Sequence, residues 1–260
     1  MKKGRITQIE QTRRLKLLFE FIFIFRYASR EQLLNFTQNV IKLSYPRWLI
    51  EYSLKQGYLK TYYIQSFRTK IYYLTEKAKA LIYEQEALIK HYRFDTRYTG
   101  SNTLLNHNIQ VETYFLLNKY LGISTQHFLC GWLLKASSKK YERQPDALAT
   151  LSSGLQLAIE VEVSLSKLAY YKKLISLYQY DIEKVHKYHA VLFITPDKYR
   201  CECIKNKLFY LNPELCKKAV IFSDLDTLKL GGCFYQEAAK DIKEALSLFK
   251  PGNNIDTSQE

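Results

Sequence analysis

Asp146, Glu160 and Glu162 are the side chains of this 260-residue sequence whose types and spacing come closest to a chemical site. They lie in two stretches, Pro145-Asp146-Ala147-Leu148-Ala149-Thr150-Leu151 and Leu155-Gln156-Leu157-Ala158-Ile159-Glu160-Val161-Glu162-Val163, separated by Ser152-Ser153-Gly154. Strand alternation puts Leu155, Leu157, Ile159, Val161 and Val163 on one face and Gln156, Ala158, Glu160 and Glu162 on the other. Both glutamates then point the same way, about 7 Å apart along the strand. The turn sets what faces them. A three-residue hairpin loop commonly ends in the left-handed region, where Gly154 fits. If Leu151 pairs with Leu155, Asp146 stands opposite Glu160 with Cβ atoms about 5 Å apart. A two-residue turn would move Asp146 to the other face. Three carboxylates on one surface repel, and a divalent cation resolves that repulsion. Hard oxygen ligands suit Mg²⁺ or Mn²⁺, and such an ion polarises a phosphodiester and activates water. The chemistry so read is metal-dependent hydrolysis of a phosphodiester, leaving a 3′-hydroxyl and a 5′-phosphate.

The elements that must position these acids alternate in kind. A helix over Leu104–Tyr120 is followed by a strand over Gln126–Leu134 and then by the two strands of the acidic hairpin. A basic helix from Ser166 to about Lys187 leads to the apolar strand Ala190–Thr195. Next come a helix over Lys198–Leu208, a strand over Ala219–Phe222 and a terminal helix over Gln236–Phe249. This order predicts a mixed central sheet with helices on its faces. Pro251–Glu260 is polar and reads as a disordered tail.

The first hundred residues read differently. Residues 7–27 form a helix burying Leu15, Leu18, Phe19, Ile22 and Phe23 or Phe25. Ser29-x-x-Gln32 has the form of a capping box opening a second helix through about Thr37. Ser44-Tyr45-Pro46 starts a third, through Arg47, Leu49, Ile50 and Leu54, stopped by Gly57. Two β-rich runs, Leu59–Gln65 and Lys70–Thr75, flank a short loop, and a helix capped by Thr75 extends to about Lys90. Three helices and a basic hairpin are the order of a winged helix-turn-helix, whose third helix enters the major groove of double-stranded DNA. Arg47, Lys55, Lys60, Arg68 and Lys70 are placed for DNA binding; a protein-binding winged helix with solvated charges is the alternative. The α+β chain therefore divides into a winged helix over residues 1–92, an α/β domain over residues 93–250 and the tail over residues 251–260.

Charge agrees with that division. The chain carries 39 Lys and Arg against 25 Asp and Glu; residues 1–100 hold 19 against 8, and the remainder 20 against 17. The excess favours a polyanionic partner and is concentrated in the N-terminal part. Twenty-two Tyr and 14 Phe suit base stacking, but AT-rich coding accounts for the same composition more simply. Five cysteines without a C-x-x-C pair indicate neither a disulfide framework nor a zinc knuckle, and place the chain in a reducing cytoplasm. Lys16 and Glu20 interrupt the run Leu15–Phe25, which is too short to span a membrane.

P-D-x13-E-x-E within an α-β-β-β-α-β order resembles the active-site hairpin of the PD-(D/E)xK, or restriction-endonuclease-like, superfamily. Preceded by a winged helix and followed by Ser164-Leu165-Ser166-Lys167-x-x-x-Tyr171, it is similar to the plasmid replication-relaxation family and the related MOBC-type mobilisation relaxases. His107-Asn108-Ile109-Gln110-Val111-Glu112 is similar to the His-containing helix those proteins place before the nuclease sheet. The resemblance implies a relaxase that nicks an origin of transfer or replication on a mobile element, beside a conjugative coupling protein or another relaxosome subunit. One departure stands out. The superfamily's lysine, two residues after the second acid, is Glu162 here, leaving Glu162 as metal ligand or general base and Lys167 as the source of the missing positive charge.

Other constellations remain open. Glu112 is either a water-mediated metal ligand or the solvated face of its helix; His107 is a site member, or a cap or core histidine. Lys172 and Lys173 read as phosphate contacts. His186-x-x-His189 has the wrong spacing for a histidine relaxase motif. Tyr170, Tyr171 and Tyr178 follow the acids, and a tyrosine nucleophile among them would leave protein on a DNA end. The second class of function is a plasmid replication or transcription regulator whose nuclease-like domain is inactive.

Overall fold

The structure is a computed structural model that describes residues 7–82, 88, 90–95, 100–137, 143–236 and 238–249. These belong to two compact units, residues 1–100 and 101–260.

In the first unit, Thr7 caps helix α1 (Gln8–Phe25) by accepting the Glu10 N–H. Every residue from Leu18 to Phe25 is buried, so the C-terminal half of this helix is wrapped on all sides. Strand β1 (Ala28–Ser29) leads into α2 (Arg30–Asn35), opened by the reciprocal pair Gln32 N–H to Ser29 Oγ and Ser29 N–H to Gln32 Oε1. One π turn, Phe36–Val40, extends α2 beyond its expected end. Helix α3 (Pro46–Lys55) starts on proline and stops where Gly57 takes φ +71°. Strands β2 (Leu59–Ile64) and β3 (Thr69–Leu74) form an antiparallel hairpin, and β1 pairs with β3, giving the order β1-β3-β2. The helix expected to run from Thr75 to about Lys90 is interrupted: its first turn, α4 (Glu76–Lys79), ends before Ala80. Thr75 does not cap it, because its hydroxyl donates to Gly57 O at 2.8 Å. Residues 83–87 and 89 of that expected helix lie outside the described residues.

The second unit is built on one mixed sheet, strand order β10-β9-β8-β7-β6-β5-β4. Helix α5 (Ser101–Leu121) precedes β4 (Phe128–Cys130), α6 (Gly131–Ala136), β5 (Ala147–Thr150) and β6 (Gln156–Val161). Helix α7 (Leu168–Glu183), β7 (Ala190–Thr195), α8 (Lys198–Leu211), α9 (Pro213–Ala219) and β8 (Val220–Asp224) follow. The chain then runs through α10 (Leu225–Lys229), β9 (Gly232–Tyr235), β10 (Ala238–Asp241) and α11 (Ile242–Ser247). Strands β6, β7 and β8 are parallel and the other pairs antiparallel. On one face Leu148, Ala158, Val191, Phe193, Val220 and Phe222 pack with Tyr171, Leu174 and Tyr178 of α7, Ile204 and Leu208 of α8 and Leu215 of α9. Helix α5 contacts β6 and β7, and strands buried on both faces explain their unbroken apolar runs.

Two expected elements are corrected. The strand expected over Gln126–Leu134 is three residues long and turns at Gly131 into a helix; an apolar run of that length is compatible with either period. A Cβ on Gly131 would come within 2.9 Å of Pro145 O, so glycine permits the tight corner. The terminal helix starts at Ile242 rather than Gln236, capped by Asp241 after the β9–β10 hairpin. The expected disordered tail, residues 251–260, lies outside the described residues.

Candidate functional site

Strands β5 and β6 pair as Ala147↔Ile159, Leu148↔Ala158, Ala149↔Leu157 and Thr150↔Gln156, the register expected from the turn, with Asp146 and Glu160 the next residues beyond the last pair. The loop is the three-residue form: Leu151 N–H donates to Leu155 O and Gly154 N–H to Leu151 O, each at 2.9 Å, with Gly154 at φ +83°. At the other end, Gly131 N–H donates to Asp146 O at 2.7 Å. Glu162 N–H donates to Ile194 O at 3.0 Å, so the second glutamate continues the pairing with β7. The acids thus sit at the carboxyl end of a parallel strand pair.

Glu160 is 1% exposed, and Arg143 holds it in a two-pronged ion pair: Nε donates to Oε1 at 2.9 Å and Nη2 to Oε2 at 3.0 Å. Tyr178, from α7, donates its hydroxyl to the same Oε1. Burial, then the charge of Asp146, pushes the Glu160 carboxyl up to about 8, against the downward pull of Arg143 and Tyr178. For Arg143, burial works against the charge, but the hydrogen bond and charge of Glu160 outweigh it and raise the pKa. The arginine is aimed by its own backbone. Its N–H donates to buried Asp181 at 3.2 Å and its carbonyl accepts the Tyr188 hydroxyl at 3.1 Å. Asp181 also pairs with Lys187 at 3.4 Å.

Asp146 turns Oδ2 toward the Val161 N–H, 2.9 Å away. Burial raises its pKa, while that N–H, Arg143 and Asn106 lower it. Burial also lifts Glu162 to about 7; Tyr170, whose hydroxyl donates to Oε1 at 3.1 Å, pulls it down and Asp146 pushes it up.

Among the described residues, no group of three or more His, Cys, Asp or Glu side chains is arranged to hold a metal ion. The three-acid chelate expected from the spacing is not formed because Glu160 gives both oxygens to Arg143. Asp146 and Glu162 remain suited in donor type to a hard divalent cation. Burial first, and the charge of Asp146 after it, disfavour the ionised form of both glutamates, and a cation held by these acids would favour it.

The other expected site residues are distributed. Lys167 is exposed at the N-cap of α7, and Lys172 and Lys173 are exposed on that helix. Glu112 is half-buried with its pKa raised by burial, and Lys229 is the cation that lowers it. Helix α5 instead reaches the acids through Asn106, whose Nδ2 donates to Val161 O at 3.4 Å; His107, the next residue, is half-buried. Tyr178 and Tyr171 are fully buried, and Tyr171 accepts the Ser166 N–H at 3.2 Å. Tyr170 is 39% exposed and touches an acid, but burial and Glu162 raise its pKa, which disfavours a phenolate nucleophile. In the first unit Arg47 and Lys55 lie on α3, Lys60 on β2, Lys70 on β3 and Arg68 at the hairpin tip, all exposed.

The sequence reading missed Arg143, Tyr178 and Asn106. Arg143 carried a usable signal, a cation three residues before Asp146. Tyr178 and Asn106 lie 18 and 55 residues from their partners in the hairpin, and nothing local points to them. In comparisons with known proteins, no family model, no curated protein and no solved structure matches this chain. No helix among the described residues is long and apolar enough to cross a membrane.

Proposed function

We propose that this chain binds double-stranded DNA through its first unit and nicks one strand with its second, acting as a relaxase at an origin of transfer or replication. The single observation that carries the cutting half is the convergence of three acids at the end of the hairpin, where Asp146 accepts the N–H of Val161, the residue between Glu160 and Glu162. The DNA-binding half is supported by the exposed cations of α3 and the β2–β3 hairpin, arranged in the element order of a winged helix. The second unit is read as a nuclease-like fold on its mixed sheet, and its partners as a coupling protein or another relaxosome subunit on the resemblance to MOBC relaxases.

Asp146 and Glu162 would hold Mg²⁺ or Mn²⁺, which when bound supplies polarisation of the phosphodiester and an activated water. Arg143 keeps Glu160 fixed and brings positive charge beside the acids, the contribution expected of Lys167 from the sequence. Tyr170 orients Glu162 through its hydrogen bond. Val161 N–H and Asn106 fix the Asp146 carboxylate.

The test is nicking of supercoiled origin-containing plasmid in Mg²⁺ or Mn²⁺. Wild type is expected to give open circles and Asp146→Ala none, with protease treatment leaving the cut strand's mobility unchanged. A second reading, a replication or transcription regulator with an inactive nuclease-like domain, is favoured by the hold of Arg143 on Glu160. Origin binding without nicks under either metal would establish that reading in place of the first.

A further inference from the structure

The β2–β3 hairpin carries more than phosphate contacts. Leu59, Ile64, Ile71, Tyr72 and Leu74 are buried along the hairpin, while other side chains near the turn stand in solvent. Tyr63 is 51% exposed and lies directly across from exposed Lys70; Phe67, in the connecting turn, is 41% exposed. Arg68 follows at φ +49°, a left-handed position where glycine would be least strained, so a guanidinium is kept at conformational cost. Lys60 is exposed on the same strand as Tyr63. The tip therefore presents two aromatic rings beside two cations, Arg68 and Lys70, while Lys60 lies one pair from the Leu59–Leu74 end. Its neighbour Tyr62 differs, because Phe94 packs on its ring at 5.7 Å.

Cations alone would serve a duplex backbone. Exposed rings add something that paired bases cannot use, since the faces of bases inside a duplex are already stacked on one another. Rings among cations suit unpaired bases, whose faces are open and whose phosphates remain near. We infer that the β2–β3 tip binds unpaired DNA bases at a junction between duplex and single strand, with Tyr63 and Phe67 as stacking surfaces and Arg68 and Lys70 on the adjoining phosphates. This rests on the DNA-binding reading and narrows its substrate to partly melted DNA.

The experiment uses the full chain with two probes of equal length: a blunt duplex, and a fork with unpaired thymidine arms carrying a fluorescent adenine analogue next to the junction. Wild type should bind the fork about tenfold more tightly and quench the analogue. Tyr63→Ala and Phe67→Ala should each lose most of that preference and the quenching, with blunt-duplex affinity within about twofold and the salt slope unchanged, because no cation is removed. Tyr63→Trp should keep both, and a thermal melt checks that each variant is folded. Arg68→Ala should weaken both probes alike. Equal wild-type affinity for the two probes, or equal loss on both for folded Tyr63→Ala, would overturn the inference while leaving duplex binding intact. Binding of neither probe would overturn the DNA-binding reading and the inference together.

Discussion

Two hairpins of the molecule, β2–β3 and β5–β6, treat charge in opposite ways. In β2–β3 the charged side chains are cations standing in water, and each needs no partner within the chain. In β5–β6 they are carboxylates drawn into the end of a sheet, where Glu160 is nearly inaccessible and a guanidinium and a phenol from elsewhere in the unit hold it. The difference follows from solvation. An exposed ammonium or guanidinium keeps its hydration and acts at a distance screened by salt. A buried carboxylate loses its hydration and survives only with hydrogen bonds and an opposite charge. The exposed hairpin can therefore change residue by residue at small energetic cost, whereas the buried one is a single coupled unit.

The sharpest break of this comparison is Arg143→Ala at about pH 9, above the value to which Glu160 is pushed, where the ionised carboxylate is left buried without its cation. We expect a loss of about 3 kcal/mol in denaturant unfolding. Adding Glu160→Gln should recover part of it, as coupled residues do. Full additivity of the two substitutions would show that the pair is not one unit.

Smaller, and specific to the acids, is a dependence on pH. Glu160 and Glu162 titrate at about 8 and about 7 in the folded chain, against an ordinary value of 4.5. The folded state thus binds protons more tightly than the unfolded one. The resulting stabilisation is complete below the unfolded value and is lost as pH rises through 7 and 8. Without added metal, the thermal midpoint should fall between pH 5 and pH 9, and Glu160→Gln should flatten that fall. A midpoint that rises over this range would contradict the burial argument.

The turn comes next. Gly154 has φ +83° and no atom within 4 Å of the place a Cβ would occupy. Gly154→Ala should therefore cost about 1 kcal/mol, all of it backbone strain. The smallest stability effect belongs to the exposed hairpin: Lys70→Ala should change it by less than about 0.5 kcal/mol. The same substitution should lower the salt slope of DNA binding by about one unit for both cognate and unrelated duplexes. Arg47→Ala should weaken cognate binding more.

The sequence by itself determined what is local. The Ser29–Gln32 capping box, the proline start of α3, the β2–β3 hairpin and the Gly154 turn each depend on residues within a few positions of one another, and their rules are geometric. The turn alone fixed the pairing of β5 with β6 as far as Ala147 and Ile159, because side chains alternate strictly along a strand and one loop length sets the whole register. Helix limits after Thr75 and near Gly131 were less legible: a short apolar run satisfies two periods, and tertiary contacts such as Thr75 with Gly57 O decide between them.

Only the tertiary structure decided how the acids are partnered. Arg143 reaches Glu160 because Asp181 and Tyr188 pin its backbone, and Tyr178 reaches it because α7 packs on that face of the sheet. Glu112 was a candidate ligand by helix position, yet its helix brings Asn106 to the hairpin and sets Glu112 within the influence of Lys229. Spacing along a chain shows which side chains share a face. Which buried charge meets which counter-charge depends on how helices pack across the sheet, and desolvation makes that choice energetically decisive.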